Sequence, residues 1–273
     1  VIVGFGLQDV AEKTIFEYAD IKGEALAVPV SNINPYLVDA PDLVLEKRNQ
    51  PICIVPTISY GSMANDDGHL LLDKEQRNAL IAAEPATAPY IRRYMGAQEF
   101  LNNAERWCLW LKDISPSLMR SSNELRHRIE AVRKFRASSN REATRNLAAT
   151  PSLFGEDRQP LKSYLLLPKV SSENRPYMPI GFMPSEVIAN GSALTISDSG
   201  HYEMGVLQSK MHMAWMRAVA GRMKSDYQYS AQIVYNNFPW PDLPEKLEPN
   251  QPQTPTHKAQ AAIEKAAQAV LDA

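Results

Sequence analysis

Residues 164–197, YLLLPKVSSENRPYMPIGFMPSEVIANGSALTIS, decide the fold class. Tyr164 to Val170, Tyr177 to Met183 and Ala193 to Ser197 are short apolar runs separated by the polar turns SSENRP and PSEVIANGS, so three strands are expected. Helical sequence flanks them. Ser115-Pro116 is a helix start, and Leu125, Ile129, Val132 and Phe135 keep helical spacing up to Ser138; a second helix is expected over Met204 to Met223. Strands and helices together predict a mixed α+β fold: a multi-stranded sheet, two prominent helices and an Ala-rich helix at the C-terminal end.

Further out, Leu70 to Ala83 is expected to be a helix ending before Pro85, with Leu71, Leu72, Leu80 and Ile81 as its apolar positions. Arg106 to Lys112 (RWCLWLK) predicts a strand. Residues 7–60 are broken by Pro29, Pro35, Pro41, Pro51 and Pro56, a pattern of edge strands and irregular connections. The opening Val1-Ile2-Val3-Gly4-Phe5-Gly6 has no initiator Met and predicts a buried strand, as expected of a piece of a longer protein. Between Pro239 and Pro255 lie six prolines, which predict a linker or strap. Lys258 to Leu271 follows as an Ala-rich helix whose apolar stripe needs a partner, expected in a part of a longer chain.

At 273 residues and 44% apolar composition the chain can bury a substantial core. No run approaches the ~18 apolar residues of a membrane span, and no secretory pattern opens the chain, so no membrane association and a cytoplasmic setting are expected. Cys53 and Cys108 lie singly in apolar runs and predict buried reduced thiols. The net charge of −2 hides an uneven distribution: residues 101–230 hold 18 Lys/Arg against 12 Asp/Glu, whereas residues 1–100 hold 8 against 14. A polyanion would meet the middle of the chain.

That middle carries Arg120, Arg126, Arg128, Arg133, Lys134, Arg136, Arg141 and Arg145 against only Glu124, Glu130 and Glu142 between Leu118 and Arg145. Such a helix face can hydrogen-bond phosphate oxygens, or can be a solvated face with intrahelical ion pairs. Three polar stretches close the predicted strands and helices: Lys169-Val170-Ser171-Ser172, Asn190-Gly191-Ser192 and Lys224-Ser225-Asp226. A lysine can donate to O6 and N7 of guanine while an aspartate accepts from the cytosine amino group, so Lys-x-Asp suits one base pair; the plain alternative is a surface turn with a local ion pair. Tyr235 to Pro241 (YNNFPWP) could stack on a base or clasp the end of a domain, and aromatics beside prolines favour the clasp.

Catalytic signatures fail on inspection. Val3-Gly4-Phe5-Gly6 lacks the third glycine of a dinucleotide loop, and Asn34-Pro35-Tyr36 lacks one proline of Asn-Pro-Pro-Tyr. Asp66, Asp67 and His69 belong to ordinary turn chemistry, and His127, His201, His212 and His257 have no nucleophile context. No metal site or catalytic residue is expected here.

Longer stretches carry a resemblance: NPYLVDAPDLVLEKRNQPIC, YGSMANDDGHLLL, FLNNAERWCLWL, RIEAVRKFRASSNREATRNLAATPSLFGEDRQP, LLPKVSSENRPYMPIGF and GVLQSKMHMAWMRAVAGRMKSDYQYSAQIVYNNFPWP, in order over most of residues 30–241. Here the chain resembles the specificity region of the single-chain, MmeI-like (Type IIL) restriction-modification enzymes and related adenine-specific DNA methyltransferases. The resemblance implies that 1–30 ends a methyltransferase domain, 31–241 is a target recognition domain for double-stranded DNA, 242–255 is a linker and 256–273 begins a helical tail. It implies S-adenosylmethionine and methyl transfer in the rest of the parent chain, whose methyltransferase domain would be a partner, and an inactive fragment here. It also implies base reading by Lys224 and Asp226, and less directly by Lys169, Asn190 and Ser192; Ser171 and Ser172, in the polar stretch beside Lys169, are candidate base readers with them. A protein-interaction module, a small complete enzyme and a single-strand or RNA binder are the competing expectations.

Overall fold

In a computed structural model, residues 2–20, 22–242 and 254–273 are described. The chain divides into two compact units, residues 1–47 and 48–273. In the first, Lys13–Tyr18, the first strand of the described chain, pairs antiparallel with Ala25–Val30. Residues 2–6, expected as a buried strand, form none, and Ile2 and Phe5 are exposed. Their apolarity has nothing to pack against in this unit. The predicted linker falls largely on residues 243–253, outside the described residues.

The second unit is an α+β assembly of three sheets. The three strands predicted from residues 164–197 are present and lie in one antiparallel sheet, in the order Ile58–Tyr60, Ala193–Ser197, Tyr164–Pro168 and Gly181–Met183. All of Tyr164–Pro168 is buried, and alternate side chains serve different cores: Leu165 and Leu167 pack with Leu194, Ile196 and Met216, whereas Tyr164 and Leu166 pack with Met95, Ala189 and Ala193. A second sheet orders Ile188–Ala189, Ile91–Met95, Trp107–Leu109 and Leu71–Leu72, with only its first pair parallel. The third is small: Gly221–Met223, Asp226–Gln228 and Val170–Ser171.

Both long helices predicted from periodicity are interrupted. The first divides at Ser122 into Pro116–Ser121 and Asn123–Ala137. Ser122 Oγ accepts from Leu125 N at 3.0 Å and donates to the Glu84 carboxylate, which also receives Asn123 N at 3.2 Å and Glu124 N at 3.3 Å. A carboxylate from another segment thus satisfies the free N–H groups of the longer helix. Behind it, Leu125, Ile129 and Val132 join Leu72, Leu80, Tyr94 and Leu109 in one core. The helix expected over 204–223 becomes His201–Leu207 and Lys210–Val219, with Ser209 capping the second through a 3.1 Å bond from His212 N. Its expected end, Gly221–Met223, is a strand.

The Ala-rich segment is the helix Pro255–Leu271, and its partner lies in this chain. Ala267 is buried, and a Cβ at Gly205, on the helix His201–Leu207, would come within 2.7 Å of Ile263 Cγ2. Gly205 therefore permits the close approach.

Tyr235 to Pro241 is a clasp, and its aromatics are not free to stack on a base. Tyr235, Phe238 and Trp240 are buried beside His212 and Trp215, with the Phe238 and His212 rings 4.5 Å apart. The amides bind backbone: Asn236 Nδ2 donates to Arg48 O at 2.7 Å and Asn237 Nδ2 donates to Gln232 O at 2.9 Å, while Ile52 N–H donates to the main-chain carbonyl of Asn236 at 2.9 Å. Tyr235 Oη donates to Pro56 O at 2.6 Å. Cys53 is half-buried here and Cys108 fully buried elsewhere; both are free thiols, and burial pushes that of Cys108 far up.

Candidate nucleic-acid interface

The small sheet presents Lys224 and Asp226. Gly221–Met223 and Asp226–Gln228 pair in register Met223↔Asp226, leaving Lys224 and Ser225 as a two-residue turn. Lys224 has φ of +58°, the left-handed region that hairpin turns usually fill with Gly or Asn. Its side chain is exposed, Asp226 is half-buried, and no ion pair within 4.0 Å joins them. The local ion pair of the plain alternative is absent.

Lys169 connects this hairpin to the other candidate loops. Its N–H donates to Ser192 O at 3.0 Å, and its carbonyl accepts from Tyr229 N at 2.7 Å. Its ammonium lies 4.9 Å from the centre of the Tyr60 ring, a cation–π contact that leaves the charge half-exposed. Ser171 is opposite Tyr227 in the ladder. The three predicted loops are thus joined by backbone hydrogen bonds.

Several predicted base readers are engaged internally. Ser171 is 3% exposed, so its hydroxyl cannot meet a base edge in this structure; alternation along the strand turns it inward. Asn190 is buried: its Oδ1 accepts from Ser192 N at 2.8 Å and Ser192 Oγ at 2.6 Å, and its Nδ2 is 3.5 Å from Glu99 Oε2. Ser192 Oγ also accepts from Ala97 N at 2.9 Å. Asn190 is a bracket between two loops rather than a free amide, and the Ser192 hydroxyl is spent with it. Ser172 remains half-exposed, and its hydroxyl accepts from Asn174 N at 3.3 Å.

The arginine-rich segment divides the same way. Arg136 is fully buried and donates to five carbonyls: Asn65 at 2.9 Å, Leu147 at 3.0 Å, Thr150 at 2.9 Å, Ala64 at 2.8 Å and Leu153 at 2.7 Å. It is not a phosphate ligand. Five N–H donors meeting five oxygens hold two loops together, and burial lowers the guanidinium pKa from its usual range. Arg128 is mostly covered, donating to Glu124 at 2.7 Å and to His69 O at 3.0 Å. Its fork, too, is used within the fold. Arg120, Arg126, Arg133, Lys134, Arg141 and Arg145 are exposed.

Sequence reasoning missed three residues around the hairpin. Arg222 lies with its guanidinium 3.8 Å from the Tyr227 ring centre, and Glu173 stands 3.7 Å from its Nη1. Only the strand pairing Arg222↔Tyr227 exposes this relation, and residue 222 had been assigned to a helix.

A polar cleft of about 380 Å³ runs beside the Asn190–Ser192 loop, lined in part by Asn65, Asp66, Gln98, Glu99 and Arg106. Both of its carboxylates serve the fold. Asp66 Oδ2 accepts from Leu70 N at 2.6 Å, while Glu99 accepts from Gly96 N at 2.9 Å and pairs with Arg106 at 3.7 Å. No cluster of three or more His, Cys, Asp or Glu that could hold a metal occurs among the described residues, and no described helix is long and apolar enough to cross a membrane.

The chain matches a family of known proteins and is similar to relatives of established structure. A family model described as the MmeI target recognition domain matches residues 39–242. DNA methyltransferase A of Bacillus subtilis (strain 168) is 37% identical over 243 residues, covering 89% of this chain and 27% of that protein. A solved structure of the Type IIL restriction-modification enzyme MmeI in complex with DNA is 43% identical, with a TM-score of 0.90 over 98% of this chain and 34% of that one. The chain therefore spans about a quarter to a third of the length of these relatives.

Proposed function

The chain belongs to the family of MmeI target recognition domains, and on that premise we propose that it reads the sequence of double-stranded DNA for a site-specific DNA methyltransferase. Lys224 donates to guanine O6 and N7, and Asp226 accepts from the paired cytosine amino group, so one G·C pair is read in the major groove. Lys169 and Ser172 contact base edges or phosphates beside them. Arg120, Arg126, Arg133, Lys134, Arg141 and Arg145 bind phosphates and set the register on the duplex.

The observation that carries this reading is the backbone of Lys224. A lysine at φ of +58° costs of order 1 kcal/mol or more relative to glycine, and its side chain makes no ion pair within 4.0 Å that would repay the strain inside the fold. The repayment is assigned to DNA.

Methyl transfer belongs to a methyltransferase domain of the same parent chain. That domain would bind S-adenosylmethionine and take up a flipped adenine, whose N6 is inaccessible inside the stack. The work is cytoplasmic, where the DNA of a restriction-modification system lies.

Two measurements test the reading. Binding of this chain to random duplex across a salt series should weaken linearly in log salt, and exceed binding to single strands. Exchanging the charges of Lys224 and Asp226 together in the parent enzyme should change the recognised base pair at one position of the methylated site. No duplex binding at low salt, or an unaltered methylation site, would overturn the respective half of the proposal.

A further inference from the structure

Arg222 makes three contacts that base reading by its neighbours does not require. It faces Tyr227 across the hairpin with its guanidinium 3.8 Å from the ring centre. Its Nη1 donates to the Ser225 carbonyl at 2.8 Å, inside the turn that separates Lys224 from Asp226, and also stands 3.7 Å from the Glu173 carboxylate. Tyr227 is itself buried and pairs with Ser171 on its other side. One planar cation therefore ties the tip of the hairpin to its own second strand and to the segment following Val170–Ser171.

The tip needs such a tie. Each strand is three residues long, and Met223, Lys224 and Ser225 are all exposed, so no packing fixes the turn. A hairpin of this size is marginal alone. Discrimination between base edges requires hydrogen-bonding groups placed within about 0.5 Å. An exposed ion pair contributes little to stability. The Glu173 contact is better explained as orientation: it keeps the guanidinium over the Tyr227 ring with its Nη1 on Ser225.

We infer that Arg222 is a positioning residue for base reading, a brace that fixes Lys224 and Asp226 at the tip of the hairpin, with Glu173 as its anchor. The inference rests on the reading of that pair proposed above. The planar stack and the forked donor are properties of arginine, and a lysine would keep the charge but lose both.

The test uses the parent enzyme and measures kcat/KM for methylation of the cognate duplex and of every single-base substitution of it. Arg222→Met and Arg222→Lys should each lose about tenfold of discrimination at the position altered by the Lys224/Asp226 charge exchange, and keep it elsewhere. Glu173→Gln should relax the same position to a smaller degree. It removes an exposed carboxylate outside the hairpin, so it carries the test even if an Arg222 variant fails to fold. Uniform loss over all duplexes would reduce Arg222 to a structural residue and overturn the inference. A salt slope lowered by about 1 would make Arg222 a phosphate contact, with the same consequence. If the charge exchange leaves the site unchanged, the reading of the pair fails and the brace with it. If the exchange shifts the site but Arg222 and Glu173 variants relax nothing, the brace alone fails.

Discussion

Lys224 and Asp226 stand on either side of Ser225 at one hairpin tip, within reach of the same neighbourhood, yet no ion pair within 4.0 Å joins them. Lys224 sits in the left-handed region of the turn and Asp226 begins the second strand.

Replacing Lys224 by glycine should therefore separate folding from recognition. Lys224→Gly removes the positive-φ strain and is expected to raise the stability of the chain by about 0.5–1 kcal/mol, measured by urea denaturation. In the parent enzyme the same change should abolish selectivity at one position of the site. A lower denaturation midpoint would contradict the strain argument.

Two arginines that look alike in sequence should behave oppositely. Arg136→Leu strands five carbonyls and is expected to cost about 3–5 kcal/mol; Arg136→Lys offers three donors where five are used, and should cost somewhat less. Arg120→Gln, on an exposed side chain, should leave stability within about 0.5 kcal/mol and reduce the salt slope of duplex binding by about 1. Denaturation and salt titration of both variants distinguish the structural from the phosphate-binding role.

His212 should make the fold acid-sensitive. It is buried, its Nε2 lies 3.0 Å from Tyr229 Oη, its Nδ1 has no partner, and burial lowers its pKa to about 3. The folded protein keeps the ring neutral, while the unfolded chain takes up a proton below its ordinary 6.5. Stability therefore falls as pH drops from about 6.5 toward 3, by up to about 1.4 kcal/mol per unit. His212→Phe removes this slope and leaves the Tyr229 hydroxyl without its partner. The variant should be about 1 kcal/mol less stable than the parent near pH 8, and the more stable of the two near pH 4, in denaturation at each pH.

The elements legible in the sequence were those with an unbroken local signal. The strands around Leu165 and Leu194 and the helix carrying Leu125, Ile129 and Val132 are clear because apolar spacing alone specifies them. The breaks at Ser122 and Ser209 come from side-chain caps, and the Ser122 cap depends on Glu84, 38 residues away. The hairpin over 221–228 was hidden because its turn is Lys-Ser, with no Gly or Asn to mark it. Residue function divided by the same logic. Lys224 and Asp226 were found through chemistry and resemblance, whereas the inward fate of Arg136, Ser171 and Asn190 is fixed by partners distant in the chain, which composition does not show.

The clasp sets the order in which the chain can acquire its structure during synthesis. Arg48, Ile52 and Pro56 find their partners in Tyr235 and Asn236, nearly the whole unit later. Until residue 236 has left the ribosome, the segment around Pro51 has no permanent neighbours there, and the cavity that Phe238 and Trp240 fill stands open beside His212 and Tyr235. Contacts of such long sequence separation slow folding, because the loop must close before they contribute. Truncation at residue 230 would thus deprive the nascent protein of its lock, leaving apolar surface exposed to aggregation and proteolysis although every proposed DNA-contacting residue had already been synthesised.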